Sequence, residues 1–203
     1  MDTTRPETRT PKDVPAILDI GISLDGFVAT HDQDPAEIHD WMFARKTEAD
    51  EAFARDIMDR GSVIMGRNTF NVCYDGKAWD GPAWPVPMFV VTNEEREPLD
   101  WDGVPYTFIS GLQEALTAAK EASDGRPVQI MGGGKLAAAY IGSGLLDEVR
   151  LHIAPVLMGS GVPLFAAETP GSVPGRVTAF DVVSSVQTPA ATHLILKPRN
   201  NLA

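Results

Sequence analysis

Val128-Gln129-Ile130-Met131 reads as a short buried strand, and it runs directly into Gly132-Gly133-Gly134-Lys135 and a helix over residues 136–141. A strand that feeds a helix through a glycine turn is the junction of an α/β domain with a largely parallel sheet. The same alternation runs upstream. Residues 17–23 form an apolar strand, and residues 47–60 carry Ala49, Phe53, Ile57 and Met58 at helical spacing behind acidic Glu48, Asp50 and Glu51. Gly61 stops that helix, residues 62–66 form a buried strand, and Arg67-Asn68-Thr69-Phe70 opens a turn or short helix. Strands over 88–92 and 106–109 and a helix over Leu112–Ala122 follow. Beyond residue 146 the pattern changes: strands over 147–154, 177–186 and 192–197 have no helix between them, which predicts an antiparallel C-terminal edge.

The chain has 203 residues, the size of one α/β domain, expected to span residues 16–203 behind a flexible, proline-bearing tail over 1–15. Residues 30–40 read as a polar loop, 79–87 as a Pro/Gly/Trp-rich connection and 93–104 as an acidic loop. No apolar stretch approaches the roughly 18 residues of a membrane span, and the N-terminus has no signal-like segment. A single cysteine, Cys73, provides neither an intramolecular disulfide nor a zinc cluster, so a cytoplasmic location and no metal are expected. The net charge of −11 argues against nucleic-acid and membrane partners. Residues 1–125 hold 11 basic and 24 acidic side chains, so an anionic ligand must be held by particular loops.

Three loops offer such a hold. The Gly132-Gly133-Gly134-Lys135 turn lets a phosphate approach backbone N–H groups at a helix N-terminus, although a plain strand-to-helix turn has the same composition. It lacks the glycine and hydroxyl positions of a P-loop and the spacing of a Rossmann fingerprint. Gly66-Arg67-Asn68-Thr69 joins a turn, an arginine and a hydroxyl, and Thr92-Asn93 ends another strand. All three lie beyond the carboxyl ends of strands, where α/β folds collect ligands. His31, His39, His152 and His193 show no metal-ligand spacing, and no G-x-S-x-G elbow is present. His152 alternates with Leu151 and Ile153 and so faces the opposite side of its strand.

Ser23-Leu24-Asp25-Gly26-Phe27-Val28-Ala29, Val63-Ile64-Met65-Gly66-Arg67-Asn68-Thr69-Phe70, Ile130-Met131-Gly132-Gly133-Gly134-Lys135 and the run 144–159 resemble, in order and spacing, the dihydrofolate reductase-like superfamily. The nearest branch is the reductase domain of the bacterial riboflavin-biosynthesis deaminase-reductase, and the resemblance covers about residues 16–198. It implies a three-layer α/β/α sandwich, only the reductase half of such an enzyme, and NADPH-dependent reduction of a pteridine- or pyrimidine-like heterocycle. It also implies that Gly66, Arg67, Asn68, Thr69 and Gly132 to Leu136 (Gly133, Gly134 and Lys135 between them) hold the phosphates of the cofactor. Thr92 and Asn93 would take the adenosine ribose and its phosphate, and Gly21, Val28 and Ala29 would lie against the nicotinamide. Asp50 matches the substrate carboxylate of dihydrofolate reductases, and Asp25 is the other candidate proton source; a first-turn helix residue and an Asp-Gly turn are their plain structural readings. Trp41, Phe43 and His152 are the candidate substrate contacts, with core packing as the alternative for the aromatics. A homodimer is expected on the same resemblance. The competing functions are a non-catalytic nucleotide-binding module and a true dihydrofolate reductase.

Overall fold

The computed structural model describes residues 10–44, 47–75, 80–165 and 178–199. Its frame is a nine-stranded sheet in the order β10-β11-β8-β1-β7-β3-β4-β6-β5. The six central strands, β8 (Glu148–Ile153), β1 (Ala16–Ile22), β7 (Val128–Met131), β3 (Ser62–Gly66), β4 (Met88–Val91) and β6 (Val104–Ile109), are parallel. β3 and β7 are buried along nearly their whole length, as strands covered on both faces must be. At one edge β11 (Thr192–Pro198) and β10 (Phe180–Gln187) run antiparallel, as the helix-free C-terminal pattern predicts.

The opposite edge differs from expectation. Leu99–Trp101, within the expected acidic loop, forms β5 and pairs antiparallel with β6. The link is Asp102-Gly103, both at positive φ (51° and 82°), with the Gly103 N–H donating to Asp100 at 2.8 Å. Adjacent left-handed residues make the tight hairpin turn that an Asp-Gly pair favours. The expected loop over 30–40 also holds structure: a 3-10 turn at Ala36–His39 leads into α1 (Asp40–Phe43). At the N-terminus, Pro11–Asp13 form a 3-10 turn and Val14 is buried, so the fold begins inside the expected tail. Residues 1–9 of that tail, and Trp79 of the connector, lie outside the described residues.

Helices cover both faces. α4 (Leu112–Ala122) and α5 (Lys135–Ser143) bury Ala115, Leu116, Ala119, Ala137 and Tyr140 against Leu18, Ile64 and Ile130. α2 (Glu48–Met58) and α3 (Arg67–Phe70) bury Ile57 and Phe70 against Val63, Met65, Met88 and Val90 on the other face. Strand alternation separates these two sets, so even and odd residues of one strand serve different layers. Thr47 starts α2 through a reciprocal capping box with Asp50, and Gly144, left-handed at φ 71°, ends α5. A small ribbon, β2 (Phe27–Ala29) against β9 (Val162–Pro163), folds over the carboxyl end of the sheet.

Candidate active site

The parallel strands β3, β7 and β4 deliver their loops to the same end of the sheet. β3 and β7 are neighbours, so Gly66-Arg67-Asn68-Thr69 and the triple glycine stand side by side. A Cβ at Gly132 would lie 2.6 Å from Thr69 Oγ1, and one at Gly133 2.7 Å from Val28 Cγ2. Gly132 and Gly134 take φ of 107° and 62°, which favours glycine there. Close packing within the chain thus accounts for two of the three glycines, and Leu164 O already accepts the Gly134 N–H at 2.9 Å. Gly134 caps α5 without a side-chain hydrogen bond, and Lys135 is exposed at its first turn.

Arg67 distinguishes this end from an ordinary βα junction. Its Nε donates to Asn71 Oδ1 at 2.8 Å and its Nη2 meets Glu94 at 3.2 Å, while Nη1 is buried with no partner. A buried guanidinium donor left unsatisfied costs free energy that an anion would recover. Next to it, Thr92, Asn93, Arg96, Phe108 and Ser110 line an open cleft of about 530 Å³. Arg96 lies over the rings of Phe70 and Phe108, at 5.0 and 4.8 Å from their centroids. Glu94, Glu95 and Glu97 share the rim, so the cleft is not uniformly basic. Arg96 belongs to the loop after Thr92-Asn93, and its bed of Phe70 from α3 and Phe108 from β6 is a contact no local pattern encodes.

The region under α1 and α2, beside β1, β8 and β11, is closed. Asp50 is fully buried: its Oδ2 accepts from Thr47 N at 2.7 Å and Thr47 Oγ1 at 2.6 Å, and its Oδ1 from Thr188 Oγ1 at 2.8 Å. Oδ1 also meets His193 Nε2 at 2.9 Å. His193 Nδ1 lies 2.6 Å from His152 Nδ1, and His152 Nε2 lies 2.7 Å from Asp19 Oδ1. Asp19 in turn pairs with Arg60 at 2.8 Å, and Arg60 reaches Gln129, whose amide donates to the Asp19 carbonyl. Burial pushes the carboxyls of Asp19 and Asp50 upward, but their hydrogen bonds and, for Asp19, the neighbouring cations outweigh it, leaving both below the ordinary aspartate value. For Asp50 the donors are Thr47, His193 and Thr188.

The expected substrate contacts divide around this network. Trp41 is 1% exposed and stacks on His152 at 4.0 Å between ring centroids, so that face of the indole is occupied. His152 lies on the side of β8 opposite Leu151 and Ile153, under Trp41 and beside Phe53. Phe43 is 71% exposed, with His39 edge-on to it. His39 covers Gly21: a Cβ there would lie 3.0 Å from both His39 Cδ2 and the Ile38 carbonyl. Ala29 is buried in β2 opposite Val162, and Val28 sits against Gly133. Asp25 accepts from Ser23 Oγ at 2.6 Å and from the backbone N–H groups of Met158 and Gly159 at 3.2 and 2.7 Å. The Ser23 hydrogen bond first, then those two amides, hold its carboxyl low despite some desolvation. It braces the 156–159 loop on the β1–β2 turn. Cys73 is buried, and burial pushes its thiol up to about 11, away from nucleophilic reactivity.

Asp19, Arg60, Thr188 and His193 were not singled out by the sequence reading. Two signals were available: a lone carboxylate inside the apolar run 16–22, and an arginine just past the end of α2. Their partnership depends on the register Gly21↔His152↔His193 across three strands, which no local pattern encodes. Among the described residues, no cluster of three or more metal-ligating side chains occurs, and no helix is long and apolar enough to cross a membrane.

Comparisons with known proteins agree with this architecture. The chain is 29% identical over 149 residues to the uncharacterized protein YwjB of Bacillus subtilis (strain 168), covering 73% of this chain and 81% of that protein. It is 26% identical over 157 residues to the uncharacterized protein YyaP of the same organism, covering 73% and 79%. A putative riboflavin biosynthesis protein from Shewanella sp. PV-4 superposes with a TM-score of 0.70 at 24% identity, covering 92% of this chain and all of that one. RibD of Acinetobacter baumannii gives a TM-score of 0.62 at 18% identity, covering 92% of this chain and 58% of that longer one. These superpositions establish the shared fold. The family model described as the RibD C-terminal domain matches residues 16–194, and the chain belongs to that family.

Proposed function

We propose that the chain is an NADPH-dependent reductase that passes a hydride to a flat pyrimidine- or pteridine-like heterocycle, resembling the 5-amino-6-(5-phosphoribosylamino)uracil reductase of riboflavin biosynthesis. The observation that carries this reading is the buried, unpartnered Nη1 of Arg67 on a turn packed against the triple glycine. The residues present fit a dinucleotide phosphate: an arginine donor in need of an anion, an uncapped helix N-terminus at α5 and an open cleft ending at Thr92 and Asn93. When bound, the nicotinamide supplies the hydride. Arg67 and the first turn of α5 would hold the phosphates, Arg96 on its aromatic bed would stand at the ribose end, and the β2–β9 ribbon would shield the reacting ring from water. Leu157 and Phe165, 75% and 50% exposed beside that ribbon, support the expectation of a homodimer, and a monomer in light scattering at micromolar concentration would overturn it.

The test is calorimetric titration with NADPH and NADH of the wild-type chain and of Arg67→Ala, followed by NADPH oxidation against aminopyrimidine and pterin acceptors. Binding that weakens in the variant, with acceptor-dependent oxidation in the wild type, is expected. Absence of binding to either nucleotide overturns the reading. A second reading, nucleotide binding without turnover, draws on the engagement of both candidate carboxylates, Asp50 and Asp25. It predicts tight NADPH binding with no oxidation by any acceptor.

A further inference from the structure

Four side chains from four elements form one continuous line in the interior: Asp50 from α2, His193 from β11, His152 from β8 and Asp19 from β1. The line contains three contacts, of 2.9, 2.6 and 2.7 Å, each short enough to require a hydrogen between its heavy atoms. A neutral imidazole carries one ring proton, so two neutral rings bring two protons to three contacts and leave one as a pair of facing lone pairs. Two imidazolium rings bring four and set N–H against N–H across the 2.6 Å contact. Three protons satisfy every contact: each Nε2 donates to its carboxylate, and one Nδ1 donates to the other.

We propose that His152 and His193 together hold three ring protons, one more than two neutral imidazoles, and so form a singly charged, proton-locked strut that ties α2 to the sheet.

The surroundings favour this count. Asp19 from β1 and Asp50 from α2 flank the pair, and both carboxyls sit below their ordinary range, so the third proton resides on the rings. Arg60, past the end of α2, pairs with Asp19 Oδ2, and Arg150 of β8 lies 3.8 Å from the same oxygen. Asp56 of α2 bonds both Arg60 and Arg150, and Glu148 of β8 bonds Arg150. His39 approaches from the 3-10 turn, while Thr47, Thr188 and β7's Gln129 are neutral donors and acceptors. Arg60 and the shared proton then balance the two inner carboxylates. Removing the proton would leave an uncompensated negative charge among fully buried groups. His193 is itself held below the ordinary imidazole range, by burial first, with the His152 charge adding to it against the raising influence of Asp50. Trp41 and Phe53, stacked at 4.0 and 4.3 Å on His152 and His193, close the strut from the helix side.

The linkage has a definite sign. Above about pH 6.5 an unfolded histidine is mostly neutral, whereas the folded pair retains its extra proton. Stability from that proton is present below this pH and is lost as pH rises, with the folded-to-unfolded ratio falling up to ~10-fold per pH unit until the pair releases it.

Nuclear magnetic resonance of the full chain with ring-15N histidine counts the protons without any substitution. At pH 7.5, three protonated nitrogens and one bare nitrogen across His152 and His193 are expected; two bare nitrogens overturn the proposal. Urea unfolding at pH 7 and 8 supplies the second readout, comparing the wild type with His193→Phe. The wild type is expected to lose stability over that interval and the variant to lose much less. An equal loss in both overturns the strut. If His193→Phe does not fold, the nitrogen count on the wild type decides.

Discussion

Two regions at the carboxyl end of the sheet are built on opposite principles. In one, the ends of β3, β7 and β4 present glycine turns, an exposed Lys135, an open cleft and an arginine nitrogen without a partner. In the other, under α1 and α2, Asp50, His193, His152, Asp19, Arg60 and Gln129 satisfy one another in an interior closed by Trp41. Each region leaves one buried donor unmatched, Arg67 Nη1 beside an open cleft in the first and Trp41 Nε1 inside the second, but the second commits its remaining polar groups to joining β1, β7, β8 and β11 to α2. On the proposed reading, charge density does not mark the ligand site: the most heavily wired polar cluster belongs to the scaffold, and the sparser one is left for a ligand.

The sharpest test of that contrast is removal of one charge from each side. Asp19→Ala removes the buried carboxylate from Arg60, 1% exposed, leaving it only the half-exposed Asp56 carboxylate at 3.1 Å, and is expected to cost about 3–5 kcal/mol in urea unfolding. A loss under about 1 kcal/mol would mean that the network is dispensable to the scaffold. Acid works on the same groups. Asp19 and Asp50 are depressed below the ordinary 3.8, so the stability they contribute is present above that value and is lost as pH falls through their folded values. Circular dichroism melts from pH 5 downward should show the loss, and it should shrink in Asp19→Asn.

Arg67→Ala addresses the open side. Its unfolding midpoint is expected to move little, while NADPH affinity in calorimetry falls by about 1.5–3 kcal/mol, the usual worth of a charge-assisted hydrogen bond. Unchanged affinity would move the phosphate site elsewhere. Glu94→Gln has the smallest expected effect and the opposite sign. It frees Arg67 from an exposed ion pair worth about 0–1 kcal/mol, so NADPH binding should tighten by up to roughly fivefold. Weaker binding would make Glu94 a ligand contact instead of a competitor.

Much of the fold was legible because the central strands are continuous apolar runs and their helices are periodic: β7, β3 and α4 fall where the pattern places them. The antiparallel C-terminal edge was legible from the missing helices. β5 was hidden because Leu99-Asp100-Trp101 lies within an acidic stretch, although Asp102-Gly103 is a hairpin signal that an acidic-loop reading overlooks. In the site, the glycine turns and Arg67 are local sequence features and could be read as such. The His152–His193 contact could not, since it arises from strand register between residues 41 positions apart. The same limit applies to Asp50: its first-turn position was plain, but its closure by Thr188 and His193 depends on the far end of the chain.

The glycine turn and the β2–β9 ribbon are clasped to each other. Val28 presses on Gly133, Leu164 O takes the Gly134 amide, and the Leu164 amide returns to Gly26 O. The ribbon and the turn therefore open together, and slow hydrogen exchange at Gly134 and Leu164 should report one shared event, timing how often the mouth of the site is exposed to solvent.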